Sequence, residues 1–322
     1  GTAGSVVFYE KVLQLVPDHA SAHHYLIHSY ETIGRADKAL EHGEAYARLA
    51  PAIPHAAHMW GHDLRRVGRV DDAITQFKKA NALENDYYRR ESLDPALDWH
   101  HDHNLNLLAT CYQYKGQIKQ TEKTMREATS LEVVDAYRAF NRRELPGFLI
   151  QRGRHREALA AAKEMIDTKF PQSRCAGHAL AGEALIRLGK TDEAQRELQA
   201  AEEELKQIPR VTPGVIPRRA AVEPLVDALR GEVLLRTGKQ KEGGETLMQV
   251  QRALRAIPGP DAWTQTLFRL ELIAATAREV GDWELADFTA NQMMDHDAAY
   301  AGSHLARALV LQHRGEQAGA AK

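Results

Sequence analysis

The sequence predicts an all-α fold made of repeated helical hairpins, and three observations carry that expectation. Glycines recur in one fixed local setting, a small residue stands at a fixed distance after each of them, and no stretch alternates in the way a half-buried strand would. The glycine setting reads "helix, Gly, polar pair, small residue": IGRADKA at Gly34, VGRVDDA at Gly68, KGQIKQT at Gly116 and RGRHREA at Gly153. It continues as LGKTDEA at Gly189, TGKQKEG at Gly238, VGDWELA at Gly281 and RGEQAGA at Gly315. A left-handed residue ends a helix at least cost when it is glycine, so each is expected just beyond the first helix of a hairpin. Five residues further on stand Ala39, Ala73, Thr121, Ala158, Ala194, Gly243, Ala286 and Ala320, small enough to let two antiparallel helices approach closely.

The opening, SVVFYEKVLQLVP, reads as the second helix of a hairpin whose first half precedes the chain, so residues 1–16 are expected to be that helix. Localisation cannot be read from such a start. Hairpins follow over 17–206, with an insertion at 84–99 (ENDYYRRESLDPALDW), expected either to fold over as a lid or to lengthen the flanking helices. Gln207 to Arg219 (QIPRVTPGVIPRR) carries three prolines and breaks helix by itself. Further hairpins are expected from there to residue 322.

Composition narrows the function classes. The 322 residues are 43% hydrophobic and 27% charged, enough for a sizeable core. Lys plus Arg (42) nearly cancel Asp plus Glu (44), so the charge balance asks for no nucleic-acid partner. No apolar run reaches the roughly 18 residues of a membrane span. Cys111 and Cys175 read as buried thiols rather than a disulfide framework. Catalytic signatures are missing: no H-E-x-x-H, no G-x-S-x-G and no Gly-rich dinucleotide fingerprint. Gly189-Lys190-Thr191 lacks the earlier glycine a phosphate loop needs five residues upstream.

Histidine is what stands out. There are 16, and eleven of them precede Asn104. Measured back from the hairpin glycines, they fall on shared offsets. Six before the glycine stand His28, His62 and Thr110; ten before, His24, His58 and Asn106; thirteen before, Ser21, His55 and His103. The core offsets, four and seven before, hold Tyr30, Leu64, Tyr112 and Ile27, Gly61, Ala109 instead. Residues three and four apart share a helix face, so the histidines line one face that is not the core face.

Paired imidazoles at i, i+4 are how one helix offers two ligands to one ion, and neutral imidazole suits Zn, Cu, Ni and Fe. His24, His28, His55, His58, His62 and His103 are therefore the candidate metal ligands. Glu31, three residues beyond His28, is the candidate carboxylate or general base. Ser21, Asn106 and Thr110 are expected beside them, while the offsets of Asp63 and Asp102 turn those two away. The bland alternative is a solvated, hydrogen-bonding or pH-sensitive histidine surface.

The intervals between the glycines are 34, 48, 37, 36, 49, 43 and 34 residues. A helix–turn–helix period near 34 resembles the tetratricopeptide-repeat family. The residues that carry the likeness best are Tyr30, Ala39 and Pro51, then Trp60, Gly61, Leu64, Ala73, Phe77 and Ala80. The resemblance implies a right-handed solenoid whose first helices line a concave groove, and it implies that the histidine offsets face that groove. It also implies a peptide or protein partner, or a small-molecule substrate, held there. A bacterial subgroup of that family is similar in a further respect, an H-x-x-H-M-x-x-H stretch preceded by an H-Y-x-I-H helix. This chain has His55, His58, Met59 and His62 after His24, Tyr25, Ile27 and His28, with Trp60-Gly61 where those relatives often carry Pro-Ser. The resulting expectation is a hairpin solenoid whose groove binds a transition metal in a His-lined site, open to metalloenzyme chemistry; the alternative is a metal-free peptide-binding scaffold.

Overall fold

The computed structural model describes residues 3–210, 219–257 and 262–316. Among these residues the chain is all-α, apart from turns and one short 3-10 helix. Contacts divide it into two units, residues 1–132 with 258–264, and 133–257 with 265–322.

Unit one begins with α1 (Ala3–Leu15), which packs on α2 (Ala20–Thr32). Three hairpins then follow in order: α2 with α3 (Ala36–Leu49), α4 (Pro54–Arg66) with α5 (Val70–Glu91), and α6 (Trp99–Tyr114) with α7 (Ile118–Ser130). The first helices α2, α4 and α6 also touch one another in sequence, which is what stacks hairpin upon hairpin. Unit two contains α8 (Ala136–Asn141), α9 (Glu144–Gln151) and α10 (His155–Ile166), followed by α11 (Pro171–Arg187) and α12 (Thr191–Gln207). It continues with α13 (Arg219–Arg236), α14 (Gln240–Arg255), α15 (Ala262–Glu279), whose first turn through Thr264 groups with unit one, α16 (Trp283–His296) and α17 (Ala301–His313).

All eight repeating glycines adopt positive φ, between 70° and 84°. The residue after each donates its N–H back to the carbonyl five positions earlier, as Arg35 does to Tyr30 at 2.8 Å and Arg69 to Leu64 at 2.9 Å. This is the helix-ending motif that glycine permits, and a Cβ at any of these glycines would meet nothing within 4 Å. Backbone conformation, not space, selects the residue there. The small residue five positions later does the opposite work. Ala39, Ala73, Thr121, Ala158 and Ala194 are fully buried where the paired helices meet. A side chain on Gly243 would collide with Leu235 at 2.8 Å. Ala320 lies outside the described residues.

The first-helix core offsets behave as expected, with Ile27, Leu64 and Ala109 buried completely and Tyr30 nearly so. Leu26, Ile27, Tyr30, Ala39, Tyr46, Ala56 and Met59 form one cluster across α2, α3 and α4. Burying each large apolar side chain contributes about 1.5–3 kcal/mol, and this cluster holds the backbone of the histidine-bearing helices in register. Cys111 and Cys175 are buried free thiols, and burial pushes the Cys111 thiol up to about 12.

Two details differ from the simplest hairpin pattern. The segment 84–99 extends α5 through Glu91, turns at Ser92 and forms a 3-10 helix at Pro95–Leu97 before α6 starts at Trp99. The helix before Gly153 is broken in two, α8 and α9, around Arg142 and Arg143. Of the three prolines of the 207–219 segment, Pro209 follows the end of α12, while Pro213 and Pro217 lie outside the described residues.

Candidate metal centre

Each histidine-bearing helix has its own start signal. The His19 ring caps α2, its Nδ1 accepting from the Ala22 N–H at 3.2 Å. Pro54 opens α4, where its missing N–H costs nothing. Asp98 caps α6 by accepting from the His100 N–H at 2.9 Å. These starts, with the glycine ends, set the rotation at which the imidazoles project.

The structure gathers the six candidate histidines into two trios. In one, His24, His28 and His55 each offer a ring nitrogen, all within 4.8 Å of one another; in the other, His58, His62 and His103 do the same. The first trio is partly exposed and the second is buried. In the first, His24 Nε2 lies 3.1 Å from His28 Nε2 and 3.0 Å from His55 Nε2. In the second, the His58 ring stands 4.6 Å from His62 and 5.0 Å from His103 by centroids. The trios adjoin, because His55 stacks on His58 at 5.5 Å.

Glu31 lies at the junction. Its side chain is only 5% exposed; Oε2 sits 3.8 Å from His28 Nδ1 and Oε1 sits 3.4 Å from His62 Nδ1. The burial of the second trio is more than a groove-lining face leads one to expect: His58, His62 and His103 are 2%, 4% and 7% exposed. Of the expected neighbours, Ser21 is exposed. Asn106 donates to the Asp102 carbonyl of its own helix at 2.9 Å, and Thr110 accepts from Arg65 Nη1 at 3.2 Å. Asn106 and Thr110 therefore have buried structural partners.

Burial also sets the charge state. It holds His24 down to about 4 and His55 down to about 2, with neighbouring imidazoles adding to the effect. His58, fully enclosed, is pushed well below the usual histidine range by burial and then by His62 and His103. At neutral pH these rings are uncharged, the form that binds metal.

Several partners lie beyond what the offsets indicated. Asn104 Oδ1 accepts from His58 Nδ1 at 3.0 Å, while Asn104 Nδ2 donates to the Phe77 carbonyl at 3.0 Å. That carbonyl can only accept, so it fixes the amide orientation, puts the proton on His58 Nδ1 and leaves the Nε2 lone pair free to ligate. Asp63, whose offset turned it away from the histidine face, is completely buried with no hydrogen bond to either carboxylate oxygen. Burial, and then the Glu31 charge, hold its carboxyl well above the ordinary range. His101 pairs with Glu84 at 2.9 Å in a buried contact, and burial raises the Glu84 carboxyl. His23 is held between α2 and α3 by His42 and by the Pro17 carbonyl, each at 3.0 Å.

A cavity of about 600 Å³ opens beside the first trio, walled by His55, His100, Tyr87, Tyr88, Ile53 and Leu83 among others. His100 turns inward from the start of α6 and packs edge-on against His55 at 4.7 Å. The 84–99 segment thus supplies a wall of this cavity rather than a separate flap.

No protein-family model matches the chain, and no curated protein matches it. Solved structures do align with it. The MamA protein is similar at 17% identity over 62% of this chain and 98% of its own, with a TM-score of 0.44. YrrB, described as a TPR protein with an unusual peptide-binding site, is similar at 16% identity over 61% of this chain and 91% of its own, with a TM-score of 0.41. A putative kinesin light chain of Podosopora anserina with nearly identical TPR-like repeats is similar at 18% over 59% and 97%, with a TM-score of 0.48. At such identities and scores these likenesses carry no argument about activity. The chain's own helices establish an all-α solenoid of helical hairpins, and in that architecture it is similar to tetratricopeptide-repeat structures.

Proposed function

We propose that this chain is a helical-repeat scaffold that holds a transition metal on the histidine-bearing helices of its first unit. The observation that carries this reading is the buried trio of His58, His62 and His103, with ring nitrogens within 4.8 Å of one another. A buried polar atom ordinarily has a hydrogen-bond partner, yet both ring nitrogens of His62 have none. An ion would take up one of them. Three neutral imidazoles suit Zn, Cu, Ni or Fe and leave a further coordination position for water or substrate. Held there, an ion would supply a Lewis acid or a redox centre. Glu31, beside His62, is then the carboxylate placed to accept a proton, and the cavity next to His55 is where a small-molecule substrate would sit.

Elemental analysis of the chain purified without chelator tests the reading, run beside a His58→Ala, His62→Ala double variant. The expected result is a transition metal in the parent and a lower metal content in the variant. Equal metal content in the two, or no metal and no uptake of Zn, Cu, Ni or Fe by either, would dismiss the site. A metal-free scaffold for a peptide or protein partner is the reading that would then remain.

A further inference from the structure

The two histidine trios do not behave as one site with spare ligands. We infer that the first unit holds a pair of transition-metal ions, one on each trio, with the Glu31 carboxylate shared between them. This inference rests on the metal-binding reading above, adds the number of ions and the group that joins them, and gives Glu31 a ligand's role in place of the proton acceptor's.

Four observations carry it. Each trio is complete as a ligand set: three nitrogens within 4.8 Å of one another in His24, His28 and His55, and again in His58, His62 and His103. Zinc ordinarily takes four ligands, so six imidazoles split into two separate groups of three are more than one such ion needs. Next, the two sets share a boundary, the His55–His58 stack at 5.5 Å. Two-metal centres place their ions roughly 3.5–4 Å apart, and adjacent ligand sets of this kind are what that separation requires.

The third observation is the aim of Glu31. Its two oxygens face different trios, Oε2 toward His28 Nδ1 at 3.8 Å and Oε1 toward His62 Nδ1 at 3.4 Å. Neither approach makes a hydrogen bond, and Oε1 is buried with no donor at all. A carboxylate with one oxygen per neighbouring trio is placed to bridge two cations. Positive charge is what such a corner lacks.

The last observation concerns the first trio itself. The Nε2 atoms of His28 and His55 both approach Nε2 of His24, at 3.1 and 3.0 Å. A neutral imidazole nitrogen carries one proton or one lone pair, so His24 Nε2 can serve one of these contacts as donor and not both. Three ring nitrogens turned on one point without enough protons to pair them are arranged for an ion rather than for one another. The 600 Å³ cavity reaches this trio through His55, giving its ion an open side.

Titration of the metal-free full chain with Cu(II), followed by calorimetry and electron paramagnetic resonance, tests the pair. The expected endpoint is two Cu(II) per chain. Their spectrum should show coupling, with integrated intensity well below two independent spins. A His24→Ala, His55→Ala variant should take one Cu(II) with an ordinary isolated signal. Glu31→Gln should weaken uptake of one ion about tenfold or more and restore independent signals. An endpoint of one Cu(II) in the parent, unchanged in the His24/His55 variant, overturns the pair while leaving a single metal site standing. Two uncoupled ions indifferent to Glu31→Gln overturn the shared carboxylate. No uptake by the parent removes both readings. The parent endpoint decides the number of ions even if a variant fails to fold.

Discussion

His58 shows how one side chain is prepared for its task by groups far away in sequence. Its Nδ1 proton is held by Asn104, whose own amide is held by the Phe77 carbonyl, so the tautomer is fixed through two hydrogen bonds of 3.0 Å each. Such outer partners typically contribute 10–100-fold to metal affinity. Asn104→Ala is therefore expected to weaken uptake by the buried trio by about that factor, with Asn104→Asp restoring it only in part, since it keeps an acceptor for His58 but turns a second oxygen on the Phe77 carbonyl. Competition with a chromophoric chelator reads both variants. If Asn104→Ala binds as tightly as the parent, the clamp has no part in the site. None of this was legible from the repeat offsets. They predict which helix face a residue takes, and Asn104 stands on a different face from the ligands until α5 and α6 are packed together. The same holds for Glu84 and His101, which meet only because α5 runs on through the 84–99 segment. Asp63 illustrates the reverse: its offset points away from the histidine face, yet its negative environment depends on Glu31 from the neighbouring helix.

At the scale of single helices, α4 couples core packing to the histidines. Its Gly61 occupies a core offset where a Cβ would lie 2.7 Å from the Phe77 ring. Phe77 in turn packs edge-on against His58 at 5.7 Å and near His62 at 6.1 Å. Gly61→Ala must push that ring toward the imidazoles, and overpacking of this kind costs about 1–3 kcal/mol. Gly34→Ala meets nothing, yet strains a left-handed corner for about 1–2 kcal/mol. The two changes are expected to lower the denaturation midpoint similarly, while only Gly61→Ala also reduces metal uptake. Equal uptake losses in both would mean the site responds to general stability and not to Phe77. The hairpin elements themselves were readable, because a positive-φ glycine and a buried small residue leave direct traces in the sequence. The split of one first helix into α8 and α9 leaves a trace too: Pro146 has no N–H to offer the Arg142 carbonyl four residues back, which breaks the ladder at Arg142 and Arg143.

For the whole molecule, the consequence is acid sensitivity in the metal-free state. His24, His28, His42, His55, His58 and His155 are all lowered on folding, chiefly by burial. The unfolded chain therefore binds more protons at these sites than the folded one once pH falls below about 6.5. Their stabilising contribution is complete above that pH and is lost as pH drops toward about 4, where His24 itself begins to protonate in the folded state. Asp63, Glu84, Asp227 and Glu232 are raised by burial and act in the opposite sense, binding more protons when folded. The ordinary histidine titration, near 6.5, falls inside the range between pH 7.5 and 5.5, so the slope there is expected to follow the histidines. Urea midpoints of the metal-free chain are expected to fall steadily from pH 7.5 to 5.5, and His58→Gln should flatten the slope by about one proton, roughly 1.4 kcal/mol per pH unit. A midpoint that rises on acidification would show the carboxyls prevailing.

The glycine corners have an implication of their own. Each glycine corner is settled by its neighbouring few residues and owes nothing to the imidazoles of the metal site. Where a hairpin turns and what α2, α4 and α6 present are thus written in separate stretches of the same rods, and they meet only where helices pack, as at Phe77. A lineage could swap ligands or empty the site and keep every corner, provided the space beside that ring stays filled.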